Sequence, residues 1–72
     1  MPRLNKIKSG QSFKLLSIPE NIRTDLIRLG FCVGDHLKCL SKIPFGPIVI
    51  SKGLQEIAIG HNYAKKIQVE IN

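Results

Sequence analysis

The residues best suited to chemistry in this chain are two cysteines and two histidines. Cys32, His36, Cys39 and His61 are all side chains that can ligate a transition metal. Their spacing argues against a built centre. A structural zinc site favours close pairs such as C-x-x-C, whereas six residues separate Cys32 from Cys39. His36 and Cys39 also lie an odd number of positions apart, so in a strand they point to opposite faces. On that geometry the four are weak metal candidates, and the plain alternative is a core thiol at Cys39 and a solvated imidazole at His36. No metal or other cofactor is expected.

A catalytic set is harder still to assemble. The chain has no glycine-rich phosphate loop followed by Lys-Ser or Lys-Thr, and no suggestive Ser/His/Asp order. Its five carboxylates, Glu20, Asp25, Asp35, Glu56 and Glu70, include no evident acid/base pair. These features predict a protein that is not an enzyme and works by binding a partner. Three residues are candidates for that contact. Arg23 and Arg28 on a predicted helix suit an acidic or phosphate-bearing surface, including an arginine finger offered to a GTPase; the other reading is a solvated helix face balancing Asp25. Phe45, in a proline-flanked loop, either anchors a partner or caps one end of the fold.

Eleven basic residues against five acidic ones give a net charge of +6. Such a field attracts acidic partners, but the basic residues are scattered, Lys65-Lys66 is the one adjacent pair, and Trp is absent. Nucleic-acid binding is permitted by the charge and indicated by nothing else. The polar start Met1-Pro2-Arg3-Leu4-Asn5-Lys6 lacks the apolar stretch of a secretory signal, and no apolar run approaches the roughly 20 residues that span a bilayer. Reduced thiols in a cytoplasmic protein, without direct membrane insertion, are the expectation.

The elements that must position these residues are short. With 72 residues, a single domain over residues 1–72 is expected. Strands are predicted at residues 4–7, 13–18, 36–41, 48–51, 54–59 and 67–71. Asn21 is the predicted N-cap of one helix, whose stripe Ile22, Leu26 and Leu29 should face the core. Gly30 should end it in a left-handed conformation, with Phe31 packing back on the last turn. Lys52-Gly53 is a hairpin signal, residues 43–47 a loop, and residues 60–64 a helical turn. Five or six short strands with one short α-helix fit an all-β, small, partly open barrel better than a sandwich.

Three ordered stretches carry a resemblance. Leu26-Ile27-Arg28-Leu29-Gly30-Phe31-Cys32-Val33-Gly34-Asp35 resembles the L-x-x-L-G-[LF]-x-x-G-[TD] core of the FeoA family, ferrous iron transport protein A. Pro44-Phe45-Gly46-Pro47-Ile48 is similar to that family's P-x-G-D-P loop, without its acidic residue between Gly46 and Pro47. The run from Ile57-Ala58-Ile59 through Ala64-Lys65-Lys66-Ile67-Gln68-Val69 resembles its closing I-A-L…A-x-x-I-x-V. The resemblance implies an SH3-like barrel and an accessory role in ferrous iron uptake. The implied partner is FeoB, a membrane transporter with a cytoplasmic G-protein domain, whose assembly or GTPase cycle the protein would support. Two alternatives stand beside it: a stand-alone regulatory module like the C-terminal domain of metal-dependent repressors, and a small transition-metal-binding protein using Cys32 and His61. Self-association is left open.

Overall fold

Alternating apolar residues place one face of each strand in a common core. Phe13 and Leu15, Leu37 and Cys39, Ile48 and Ile50, Ile59 and Val69 are all buried, as the two-residue period of a half-buried strand requires. The computed structural model describes residues 2–72. Its strands are β1 (Ser12–Ser17), β2 (His36–Lys42), β3 (Ile48–Lys52), β4 (Gln55–Ile59) and β5 (Gln68–Ile71). They form one antiparallel sheet in the order β4-β3-β2-β1-β5. The register shifts between Leu15 and Ser17 in β1 and between Cys39 and Ser41 in β2. Each irregularity bends its strand and raises the local twist, which curls a five-stranded sheet around its own core. The architecture is an open SH3-like barrel.

The expected strand at residues 4–7 is instead a 3-10 helix, Leu4–Lys6. Leu4 and Ile7 are both fully buried, and an i, i+3 pair shares a face in a helix of three residues per turn, whereas in a strand it would split across two faces. The flanking backbone still covers the β5 edge: Val69 N–H donates to the Pro2 carbonyl (3.0 Å) and Leu4 N–H to the Ile67 carbonyl (2.9 Å).

Helix α1 (Glu20–Arg28) connects β1 to β2. Pro19 holds the N-cap position with no side-chain cap, so Asn21 lies inside the first turn and does not cap it. A proline suits this boundary because its missing N–H removes no helical hydrogen bond. Of the predicted stripe, Leu26 is buried and Ile22 half-buried, but Leu29 is 45% exposed. Leu29 is the C-cap residue, where the chain is already turning away.

The helix ends as its sequence requires. Gly30 has φ +89; its N–H donates to the Ile27 carbonyl (2.9 Å) and the Phe31 N–H to the Leu26 carbonyl (2.8 Å). Those two bonds, around a left-handed glycine, are the Schellman motif. It turns the chain so that Phe31 enters the core with Leu26.

At the β3–β4 hairpin Lys52 pairs with Gln55, so the turn is Gly53-Leu54, one residue later than Lys52-Gly53. Gly53 at φ +60 occupies the first central position, the pattern of a II′ turn. Leu54 therefore sits exposed at the tip and does not open β4. A single turn of helix, α2 (His61–Ala64), leads from β4 to β5 and buries Ala64 against the core.

Candidate functional site

The loop at residues 43–47 joins β2 to β3 and is shaped by one tight turn. Gly46 N–H donates to the Ile43 carbonyl (2.8 Å), with Pro44 and Phe45 between them. Phe45 has φ +60, the one non-glycine residue with positive φ among the described residues. Proline second and a left-handed residue third define a type II turn, whose third position normally belongs to glycine or asparagine. Phe45 takes it although its ring is 87% exposed and gains almost nothing from burial. A left-handed L-residue costs about 1–2 kcal/mol, and burial of this ring does not offset it. Phe45 therefore does not cap the barrel.

The Phe45 ring meets His61 edge-on, centroids 5.7 Å apart at 64°. His61 opens α2, so the contact ties the loop to that helical turn. Between the loop, the 3-10 helix and α2 lies a pocket of about 380 Å³, lined among others by Asn5, Lys6, Lys42, Ile43, Phe45 and His61. A second hollow runs from Phe45 to Tyr63, and a third from Tyr63 to Ile22 and Asp25 of α1. Phe45, His61, Tyr63 and the Ile22–Asp25 side of α1 thus border adjoining hollows.

The two arginines on α1 differ. Arg23 donates from Nη2 to the Ile18 carbonyl at 3.1 Å, which commits its guanidinium to the start of the helix. Arg28 makes no hydrogen bond or ion pair among the described residues. Both are exposed.

The metal candidates are dispersed. Cys32 is exposed on the α1–β2 connection and Cys39 is buried within β2. His36 lies at the start of β2, opposite Lys14 of β1, with Nδ1 3.4 Å from Asn72 Nδ2. His61 sits beside the loop that leaves the far end of β2. Among the described residues no three His, Cys, Asp or Glu side chains converge. Burial also pushes the Cys39 thiol up from its ordinary value, away from the thiolate that metals and electrophiles require.

Sequence reasoning overlooked Asp35 and Lys52. Lys52 Nζ lies 2.8 Å from Asp35 Oδ2 and 2.6 Å from the Gly30 carbonyl, while the same Asp35 oxygen accepts the Cys32 N–H at 2.8 Å. This latch holds the end of α1 to β3. The hydrogen bond from Lys52, followed by that from Cys32, lowers the Asp35 pKa below the usual carboxylate value. A carboxylate with a depressed folded-state pKa stabilises the fold above its unfolded pKa, and that stability is lost as pH falls through the folded one. Wild type should therefore lose stability as pH drops below about 4, and Asp35→Asn should flatten that part of the profile. Denaturant midpoints between pH 2 and 6 check this; identical profiles would remove the latch from the account. The pair is partly solvated, so the effect is small.

The class this fold defines is that of the small, open SH3-like barrels. The FeoA domain model matches residues 3–71, and the chain belongs to the FeoA family, which is linked to ferrous iron transport. The crystal structure of an iron uptake regulatory protein (FeoA) is 30% identical, with a TM-score of 0.85, over 97% of this chain and 94% of that one. A solution structure of FeoA from Chlorobium tepidum is 29% identical, with a TM-score of 0.85, over 97% of this chain and 70% of that one. ScaR with bound Zn2+ is 25% identical over 97% of this chain but 36% of its own length, with a TM-score of 0.82. Comparison with curated protein sequences gives no match. No helix among the described residues is long and apolar enough to cross a membrane.

Proposed function

We propose that this protein is a cytoplasmic accessory factor of ferrous iron uptake that docks on the G-protein domain of a FeoB-like membrane transporter and supports its assembly or GTPase cycle. The observation that carries the reading is Phe45, held in a glycine conformation with its ring in solvent, on a FeoA-family domain with net charge +6. Phe45 is the anchor, and the positive field steers the encounter with an acidic face. Arg23 and Arg28 share in that steering, with Arg28 the more available because its guanidinium is unengaged within the fold.

Steering and a finger role make different predictions. Long-range attraction acts on association and fades with salt, whereas loss of an arginine finger collapses GTP turnover with binding largely intact. Association with the purified transporter should slow several-fold between low and physiological salt, and slow again in Arg23→Ala/Arg28→Ala. Stopped-flow binding and GTP turnover on the same samples decide it. Association indifferent to both salt and the double substitution would overturn electrostatic docking. The regulator reading draws on the likeness to part of ScaR; co-purification with a DNA-binding protein in place of a membrane GTPase would favour it.

A further inference from the structure

Five of the eleven basic residues gather at one end of this molecule. Lys6 ends the 3-10 helix, Lys65 and Lys66 follow α2, and Arg3 Nη1 donates to the Lys65 carbonyl at 3.4 Å. Lys42 Nζ donates to the Asn5 carbonyl, which brings a fifth cation to the same end. None of the five acidic residues lies in the 3-10 helix, in α2 or in the 43–47 loop, and none lines the pocket there. At this end the Asn5 side-chain oxygen is buried without a hydrogen-bond partner among the described residues.

We infer that the pocket binds an acidic peptide segment of a partner protein. An aliphatic side chain enters against Ile43, Phe45 and Ile48, and carboxylates on either side of it meet Lys6 and Lys42. Each part of the pocket matches one part of that ligand. Lys42 spends one donor on Asn5 and keeps two for a carboxylate. The volume of about 380 Å³ falls near the bottom of the roughly 300–1,000 Å³ range of ligand pockets and suits a side chain with its backbone. The lining includes no arginine to grip a phosphate bidentately, and Phe45 is the one Phe, Tyr or Trp in it, too few to stack successive bases. A peptide fits better than a nucleic acid or a lipid headgroup.

This deepens the docking reading, on which it rests for the partner's identity; the ligand chemistry is tested separately. The probes are blocked pentapeptides, Glu-Glu-Leu-Glu-Glu, Glu-Glu-Ser-Glu-Glu and Lys-Lys-Leu-Lys-Lys, titrated into the 15N-labelled protein. The leucine peptide should give saturating shifts at the Asn5 side-chain amide and the Lys6, Ile43 and Phe45 amides. The serine peptide should bind at least about tenfold more weakly, from the apolar area it fails to bury, and the lysine peptide should not bind. Lys6→Gln, an exposed substitution that leaves the fold intact, should weaken the leucine peptide severalfold; Lys42→Gln should do so more strongly. Shifts that track charge but ignore the leucine, or that Lys6→Gln leaves unchanged, overturn the inference. So does a stronger response at the same residues to phosphatidylglycerol vesicles, to duplex DNA, or to a second copy of the chain at raised concentration. The two readings fail differently. Transporter binding unaffected by Lys6→Gln and Lys42→Gln sinks the pocket alone, and saturable peptide binding with no transporter binding sinks the docking alone.

Discussion

Phe31→Ala should remove about 3–5 kcal/mol of stability, the range for truncating a buried Phe. At roughly 0.05–0.15 kcal/mol per residue, a chain of 72 residues holds about 4–11 kcal/mol in all, so this one change removes from about a quarter to all of it. The cost is high because the site cannot relax. Phe31 is 0% exposed; its own N–H is bonded to Leu26, and the preceding Gly30 is locked at φ +89 beneath Gln55 and Lys52. The backbone that would have to collapse into the cavity is therefore pinned on both sides. Urea denaturation followed by circular dichroism measures the effect. A loss under about 1 kcal/mol would mean that the helix terminus does not anchor α1 to the barrel.

Phe45→Gly should move stability and binding in opposite directions. Glycine adopts φ +60 without the clash that an L side chain meets, which recovers most of about 1–2 kcal/mol. It also loosens the unfolded chain, which takes back about 0.5–1 kcal/mol. Hardly any burial is lost, since the ring is 87% exposed, although the edge contact with His61 disappears. The net expectation is a fold as stable as wild type or more stable by up to about 1 kcal/mol. Binding to the transporter should meanwhile fall by about 2 kcal/mol or more, as for an aromatic hot spot, a Kd rise of roughly thirtyfold. The loss should appear in the dissociation rate, because the anchor acts after encounter. Melting curves and binding kinetics on one preparation test both halves. A variant that binds normally would strip Phe45 of its role, and one destabilised by more than about 1 kcal/mol would make the aromatic a structural residue.

What the sequence determined by itself was local. The strand alternation at Leu37–Cys39 and Ile67–Val69 was legible because burial on one face demands a period of two, and each of these residues is buried. Gly30 with Phe31 foretold the end of α1, since only glycine relaxes readily into the left-handed position there. The ordered family motifs, which carry the iron connection, were also legible, and the family match spans residues 3–71. Where local signals were balanced, only the tertiary structure decided. Residues 4–7 carry apolar side chains compatible with a strand, but bringing Leu4 and Ile7 to the same core required a 3-10 turn. The hairpin turn moved to Gly53-Leu54 because Lys52 stays in β3 and reaches Asp35 and Gly30, partners 17 and 22 residues away. Phe45 was ambiguous between cap and anchor, since a proline-flanked aromatic reads the same either way; only the structure shows it 87% exposed, which does not fit a cap. The pocket that gathers Asn5, Lys42 and His61 draws on three separate stretches of chain. No spacing along the sequence records such a meeting, because it exists only once the sheet has curled.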